Sequence, residues 1–312
     1  MTAVRPTGDW DGQGLAHEGF AFRTDQELLD RVLPFAAEGF SRGEPVLVVA
    51  GERVRSLLRQ ELGRDLAKLA LLASAEDWWR GGHDTLLAYD QDIRRLRASV
   101  PTWRLVGEPV WLATDEGRVW SRFEAVVNRC YASVPYYSLC VHDAGRLPSA
   151  VLDAVARTHP LSWDGRSPVP AGEFEDPRLF LRSVQRPLGE RPADATVRTV
   201  LNPAEARRAV RAWLAGGGHA RADQVLPAAH ELVTNALRVS ASAELACWSR
   251  DGSLVVEVSD HGPGLADETV GYTPPGPEPA SGRGMWLAWS LADDVAVATG
   301  GLGTRIQLHF HR

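Results

Sequence analysis

The chain has 312 residues, of which 44% are hydrophobic and 24% are charged, and its formal net charge is −6. These values are those of an ordinary soluble globular protein, and the length predicts two domains. Neither half of the sequence carries a basic field, so we expect no direct nucleic-acid binding and favour a partner protein.

Lysine and cysteine usage exclude further classes of protein. Lys68 is the only lysine, and because a P-loop needs a lysine after its glycines, neither half can hold a nucleotide in that way. Cys130, Cys140 and Cys247 form no C-x-x-C pair, which favours reduced thiols. The sequence shows no signal-peptide pattern and no apolar run long enough to span a bilayer, so we expect a cytoplasmic protein without membrane contact.

The first half alternates between helical and extended patterns. Helices are predicted at residues 25–42, 53–62, 84–97, 117–131 and 149–157, and strands or short apolar runs at 45–50, 69–73, 103–106 and 137–141. Strands that alternate with helices of about ten or more residues predict an α/β domain, with a largely parallel sheet between two layers of helices.

Polar and aromatic residues follow the predicted strands of this half. They are Glu76 and Trp79 after the second strand, Glu108 and Trp111 after the third, and His142 and Asp143 after the fourth. Because ligands of such sheets bind beyond the carboxyl ends of the strands, these residues are candidate contacts of a small organic ligand. The alternative is that the tryptophans close the sheet's edge while the charged residues cap helices or face water.

The same half resembles the MEDS sensory domain over about residues 15 to 165. The likeness is carried by the segments Gly107–Trp111, Ser121–Asn128, Leu139–Asp143 and Arg157–Pro160. The resemblance implies a RecA-like fold that has lost its phosphate loop, and a domain that senses a small molecule.

Three residues of this half are possible zinc ligands, namely Cys140, His142 and His159. A structural zinc site takes four ligands, usually in paired spacing, and the sequence offers no fourth. We therefore expect a buried cysteine and surface histidines rather than a metal site.

Residues 166–198 are rich in Pro, Gly, Arg and Asp and are predicted to link the first domain to a second at residues 199–312. In the second domain a helix from Ala222 places Glu231 and Asn235 on one side, because residues four apart are neighbours. A carboxylate beside a carboxamide suits phosphoryl transfer: the amide oxygen can bind Mg²⁺, and the carboxylate can accept a hydroxyl proton. The alternative is an ordinary helix whose polar side faces water.

A strand at residues 254–258 leads to Asp260, Gly262 and Gly264. A carboxylate at this place can accept a hydrogen bond from an exocyclic amine such as that of adenine, and the glycines let the backbone approach a ligand.

Two further segments follow in the sequence. Gly282, Arg283 and Gly284 open a helix that runs to Leu291, and Thr304 precedes a final strand at residues 305–310. The first N–H groups of a helix favour an anion, so this helix is predicted to face phosphate groups.

This order of motifs resembles the GHKL ATPase superfamily over about residues 195–312. Within it, the closer likeness is to the Ser/Thr kinases that act as anti-sigma factors in Gram-positive bacteria. The resemblance implies a two-layer α/β sandwich that binds ATP and Mg²⁺. Glu231 would be the general base, Asn235 the Mg²⁺ ligand and Asp260 the adenine reader. The nucleotide contacts implied by the same likeness are completed by Gly262, Gly264, Gly282, Arg283, Gly284 and Thr304.

The sequence departs from the family pattern at Val239, where the family often has histidine.

The expected function is that of a cytoplasmic regulator. Its sensor domain would control an ATP-binding domain that phosphorylates Ser or Thr of an anti-anti-sigma factor, and that domain would also sequester a sigma factor. The family likeness further implies a homodimer. One alternative is an ATP-dependent binding switch without kinase activity. The other is an atypical sensor histidine kinase, although a Pro-rich linker stands where such kinases carry a helical hairpin with the accepting histidine.

Overall fold

The computed structural model describes residues 10–114, 121–217, 221–250, 252–265, 267, 269–272 and 283–311, with Arg283 described by its backbone alone. The chain divides into two compact units, one ending at Phe180 and the other beginning at Leu181. None of the helices in these ranges is long and apolar enough to cross a membrane.

A seven-stranded sheet forms the centre of the first unit. Its strands are β1 Ala16–Phe22, β2 Val46–Ala50, β3 Leu71–Ser74, β4 Trp103–Gly107, β5 Tyr136–Asp143, β6 Leu161–Trp163 and β7 Pro168–Pro170. The spatial order is β3-β2-β4-β5-β1-β6-β7, and every neighbouring pair is parallel except β6 with β7. The predicted parallel α/β class is confirmed.

Helices connect these strands. They are α1 Asp25–Arg42, α2 Glu52–Leu62, α3 Ala75–Trp78, α4 Gly82–Ser99, α5 Arg122–Cys130 and α6 Ser149–Thr158, followed by α7 Pro177–Ser183. The connections after β1 and β2 lead toward the β3 edge, whereas those after β3, β4 and β5 lead toward the β7 edge. Because parallel crossovers are right-handed, α1 and α2 cover one face of the sheet and α4, α5 and α6 cover the other.

Local sequence explains where α1 begins and ends. Thr24 Oγ1 accepts the N–H of Glu27 at 3.2 Å, and the Glu27 carboxylate in turn accepts the N–H of Thr24, which forms a capping box. Gly43 ends the helix with φ of 70°, a left-handed conformation that glycine adopts without strain. Between the caps, residues such as Leu28 and Phe35 are buried against the sheet, and each such side chain contributes about 1.5 to 3 kcal/mol.

The predicted linker is more ordered than its composition indicates. Within the predicted linker, residues 166–198, the structure has β7, α7 and the first residues of strand β8. Three-residue strands are too short to show a periodic pattern in the sequence. Pro168 and Pro170 are compatible with β7 because it lies at the edge of the sheet, where a missing N–H donor costs nothing.

In the second unit, the described residues form a five-stranded sheet that is accompanied by helices. Its elements are β8 Thr196–Val200, α8 Pro203–Gly217, α9 Ala222–Val239, β9 Ala243–Arg250, β10 Ser253–Asp260, α10 Arg283–Leu291, β11 Asp294–Gly300 and β12 Gly303–His311. The order is β11-β12-β10-β9-β8, and all neighbours are antiparallel. Helix α9 packs on β10, β9 and β12 and contacts α8 and α10. The predicted two-layer α/β arrangement is confirmed.

A buried carboxylate holds the segment before β8 against the sheet. Glu257 of β10 is fully buried and accepts hydrogen bonds from Arg191 Nε at 3.1 Å, Arg305 Nη2 at 2.8 Å and Gln307 Nε2 at 2.7 Å. Gln307 also exchanges two hydrogen bonds of 2.8 Å with the backbone of Gly189. Burial alone would raise the pKa of Glu257, but the three donors outweigh it, so the pKa lies below its usual value.

This network predicts a pH-dependent contribution to stability. Since the folded pKa of Glu257 is lowered, its contribution is complete above the unfolded pKa of about 4.3 and is lost as the pH falls through the folded pKa. Glu257→Gln should lower the free energy of unfolding of the second unit by about 1–3 kcal/mol at neutral pH. The difference from wild type should shrink in acid. Hydrogen exchange of β10 peptides in urea measures both effects.

The matched control is Glu244→Gln. Glu244 accepts from the same Arg191 at 2.7 Å, but its side chain is 44% exposed. An exposed pair contributes little, so this variant should stay close to wild type at every pH. If both variants showed the same pH profile, Glu257 would not be the group that holds the segment.

Candidate functional site

In the second unit, α9 presents the predicted acid–amide pair. Its buried face, which includes Val225, Leu232 and Val233, packs on the sheet. Glu231 and Asn235 are half-buried on an adjoining side of the helix. Apolar residues at three- and four-residue spacing fix the rotation of the helix, and that rotation sets where the two polar side chains lie.

The second glycine segment lies against this pair. A methyl group built on Gly284, in the first turn of α10, would overlap Glu231 Oε2 and would lie 3.5 Å from Asn235 Nδ2. Two motifs that are distant in the sequence are therefore in contact, and only glycine lets their backbone and side chains approach this closely.

The Asn235 amide is only partly hydrogen-bonded. Its Nδ2 is buried and has no hydrogen-bond partner among the described residues. Its Oδ1 accepts a hydrogen bond from Arg238 Nη1 at 3.2 Å. Leaving a buried amide unpaired costs about 1–3 kcal/mol. A cation bound to the amide oxygen in place of the Arg238 guanidinium is compatible with this environment.

The first glycine segment turns away from the end of β10. Asp260 Oδ1 accepts the N–H of Gly262 at 2.8 Å, which holds the carboxylate over the turn. Gly264 has φ of 87°, and a methyl group there would lie 2.6 Å from the carbonyl oxygen of Gly300. The backbone thus requires glycine at position 264.

Thr304 lies directly beside this turn. It is 5% exposed and is the cross-strand partner of Asp260. Its Oγ1 is 3.3 Å from Thr299 Oγ1, which accepts the N–H of Leu265 at 2.7 Å. Asp260 and Thr304 are thus neighbours where β10 ends and β12 begins.

Two predicted contacts lie partly or wholly beyond the described residues. Gly282 is outside them, and Arg283 is described only as the first residue of α10. Val239, at the position where the resemblance leads to histidine, is 53% exposed. Its Cγ2 would lie 2.6 Å from a methyl group on Gly262, so this position contacts the glycine turn through an apolar side chain.

The first unit contains a cavity of about 200 Å³ between the sheet and the layer of α4 and α5. Its wall is mostly aromatic and aliphatic. The aromatic lining residues are Trp78, Tyr89, Trp103, Trp111 and Phe123, and the polar ones include His17, Glu108, Glu124, Ser138 and Cys140. An apolar cavity with a few converging polar groups is the usual form of a small-molecule site.

The predicted sensor residues divide between this cavity and the sheet's carboxyl edge. Glu108 and Trp111 line the cavity, and Trp79 stacks on Trp111 with ring centroids 4.8 Å apart. Glu76 approaches the Gly51 turn together with Glu108.

That turn lies at the switch point of the sheet. The helices after β2 and β4 cover opposite faces, so a crevice opens between the carboxyl ends of these neighbouring strands. Gly51 follows β2 and donates its N–H to Glu108 Oε2 at 2.8 Å. Burial raises the pKa of Glu108; the hydrogen bond from Gly51 opposes the shift, while the charges of Asp143 and Glu76 add to it. Asp143 itself pairs with Arg53 and accepts the N–H of Gly145 at 2.9 Å.

Two family models match the chain. Residues 16–160 match MEDS, the methanogen/methylotroph, DcmR sensory domain, and residues 198–310 match the histidine kinase-like ATPase domain. The chain joins a MEDS domain to a histidine kinase-like ATPase domain. Both resemblances drawn from the sequence are confirmed at the level of these domains.

A solved structure also resembles part of the chain. It is the crystal structure of the RsbU and RsbW domains of Rv1364c from Mycobacterium tuberculosis, with 18% identity and a TM-score of 0.28. The match covers 37% of this chain and 32% of that one, so the chain spans about a third of its length. None of the curated proteins compared with the sequence matched it.

One expectation for the MEDS domain is wrong. His142 and His159 were expected at the surface, but they are only 1% and 2% exposed. His142 lies in β5, a central strand whose eight residues are all buried because helices cover both faces. Burial lowers the pKa of His142 to about 4, and neither of its ring nitrogens has a hydrogen-bond partner among the described residues.

Three residues that line the cavity were not predicted from the sequence. Trp103 is the first residue of β4, and Tyr89 and Phe123 lie on α4 and α5, so none of the three follows the carboxyl end of a strand. Their spacing is that of ordinary core residues, so no local signal separates a cavity wall from a packed core.

Gly284→Ala tests the contact between the two motifs of the ATPase domain. The added methyl group would displace the Glu231 carboxylate, while alanine favours a helix by about 0.5–1 kcal/mol over glycine. The variant should fold at least as stably as wild type yet bind ATP–Mg²⁺ about ten-fold more weakly or worse by titration calorimetry. Gly216→Ala in α8 is the control, since a methyl group there meets nothing within 4 Å among the described residues. Equal affinities for both variants would contradict the role of Gly284.

Proposed function

We propose that this protein is a regulator whose MEDS domain controls ATP-dependent phosphorylation of a partner protein by the ATPase domain. The phosphoryl acceptor would be Ser or Thr of an anti-anti-sigma factor, and the ATPase domain would also sequester a sigma factor. The single observation that supports this most is the approach of Gly284 to Glu231 and Asn235. It joins a possible base, a possible metal ligand and a helix N-terminus in one place.

Each group has a role that its chemistry permits. Glu231 would orient the acceptor hydroxyl and take its proton. The Asn235 amide oxygen would hold Mg²⁺, which supplies charge neutralisation at the phosphates. The first N–H groups of α10 would face the phosphate oxygens, as helix N-termini do for anions. Asp260, beside Thr304, would accept a hydrogen bond from the adenine amine.

An ATP-dependent binding switch is the second candidate, and Val239 favours it. An apolar side chain at this place offers no hydrogen bond to a phosphate or metal-bound water, which weakens the argument for catalysis but not for binding. A histidine kinase has less support. The sequence contains no histidine between His159 and His219, and α7 is the only helix among residues 171–195.

The experiment is phosphoryl transfer from labelled ATP to candidate partner proteins. Acid-stable phosphate on partner Ser or Thr would support the kinase. ATP-dependent complex formation without label would support the switch, and acid-labile phosphate on a histidine would support the histidine kinase. Light scattering of the same samples would test the proposed homodimer.

Glu231→Gln gives the sharper test of mechanism. It removes the base but keeps the side-chain shape, so kcat should fall by about 100- to 10,000-fold while ATP affinity changes little. Asp223→Asn is a matched control, because Asp223 is an exposed acid on the same helix. Unchanged kcat in Glu231→Gln would remove this residue from the reaction.

The MEDS domain's part is to bind a small organic molecule in its aromatic cavity. Native mass spectrometry of the purified full chain is the direct measurement. A retained small molecule that leaves after Ser138→Leu, which fills the cavity, would support the proposal, since Ser138 lines it. Retention of the same molecule in that variant would contradict the assignment of the cavity.

A further inference from the structure

Four buried side chains of the MEDS domain converge on one point. His17 of β1, Glu124 of α5, Cys140 of β5 and His159 after α6 each offer one ligand atom, and these atoms lie within 4.8 Å of one another. All four residues are less than a tenth exposed. We propose that they bind one divalent transition-metal ion of the zinc type.

Hydrogen bonds orient His17 for this role. Asn128 Nδ2 donates to the carbonyls of Glu124 at 3.0 Å and Thr158 at 2.5 Å, so its Oδ1 is the acceptor for His17 Nδ1 at 2.9 Å. Nδ1 of His17 therefore carries the proton, and the lone pair of Nε2 points into the cluster. Metal-binding histidines commonly have their second nitrogen held in this way.

His159 is oriented in the same sense. Its Nδ1 donates to the carbonyl oxygen of Val155 at 2.9 Å, because a carbonyl can only accept. Its Nε2 is then left with a lone pair, is fully buried and has no hydrogen-bond partner in the described part of the chain. That atom lies 3.7 Å from Glu124 Oε2. Gly19 of β1 makes room for the ring, since a methyl group there would lie 2.8 Å from His159 Cγ.

The cluster is incomplete without an ion. Nε2 of His17 and Nε2 of His159 lie 3.3 Å and 3.7 Å from Glu124 Oε2, and Nε2 of His159 faces the carboxylate with no donor between them among the described residues. A cation that contacts all four ligand atoms would bind the lone pairs that now face one another.

Three of the distances between ligand atoms fit a tetrahedral ion. His17 Nε2 lies 3.3 Å from Cys140 Sγ and 3.3 Å from Glu124 Oε2. With zinc bonds of about 2.0–2.3 Å, neighbouring ligands of a tetrahedron are about 3.3–3.8 Å apart. A thiolate with two imidazoles and one carboxylate suits zinc, cobalt or ferrous iron better than Mg²⁺ or Ca²⁺.

The site adjoins the cavity described above. His17, Glu124 and Cys140 line the cavity wall, so a small molecule inside it would lie beside the ion. The metal would thus form one end of the sensor pocket.

The test uses the full chain, stripped with a chelator and then titrated with Zn²⁺ or with Co²⁺ as a spectroscopic probe. We expect one tightly bound ion per chain and a thiolate-to-cobalt charge-transfer band. Cys140→Ser should abolish that band, and Cys140→Ser and His159→Gln should each weaken Zn²⁺ binding by more than the roughly 10- to 100-fold that a lost supporting hydrogen bond costs. Cys247→Ser, a buried cysteine of the ATPase domain, is the matched control and should behave as wild type.

Two results would overturn the proposal. One is a wild-type chain with a native near-ultraviolet dichroism spectrum that takes up neither ion. The other is Cys140→Ser binding Co²⁺ with an unchanged spectrum. ATP binding measured on the same samples reports on the other domain, so failure of the metal site and failure of the proposed kinase are separately visible.

Discussion

The close approach of the Gly284 backbone to the Glu231 carboxylate is the constraint on which the ATPase domain's site depends. No side chain fits there, so α10 can begin directly beside α9. The first N–H groups of α10 are then near both the acid and the Asn235 amide. Gly264, after β10, also allows a close approach: its positive φ turns the chain past the carbonyl oxygen of Gly300. Glycine at both positions lets the chain pass close to atoms that a side chain would displace.

The MEDS domain follows a different physical rule. Its central strands β1 and β5 are covered on both faces, so every polar side chain that points from them into the α4–α5 layer must find a partner. Most do: the hydroxyls of Tyr89 and Tyr136 share a hydrogen bond of 2.7 Å. The imidazole of His142, on β5, is an exception: neither of its ring nitrogens has a hydrogen-bond partner among the described residues. Leaving a buried polar group unpaired costs about 1–3 kcal/mol.

The two candidate sites differ in charge. Glu76, Glu108 and Asp143 lie around the switch-point crevice of the MEDS domain. The N–H of Gly51, at the start of the helix after β2, already donates to the Glu108 carboxylate, which takes the place that an anion from solution would occupy. Carboxylates at this position disfavour phosphate, in agreement with the absence of a P-loop lysine. The ATPase domain instead offers a helix N-terminus and backbone N–H groups of its glycine turns. The two domains therefore differ electrostatically: the carboxylates of the crevice disfavour an anion, whereas a helix N-terminus favours one.

Sequence by itself determined the local elements and the order of motifs. Periodicity placed α1 and α9, and the spacing of Glu231 and Asn235 put them on one side of a helix, because these features depend on neighbours within a few residues. Tertiary structure alone decided which distant residues meet. His17 and Cys140 are 123 positions apart and approach only because β1 and β5 pair in parallel. The burial of His142 was likewise decided by the sheet, because burial depends on what covers a residue. The strands β6 and β7 are too short to leave a periodic pattern in the sequence, so the sheet decided them as well.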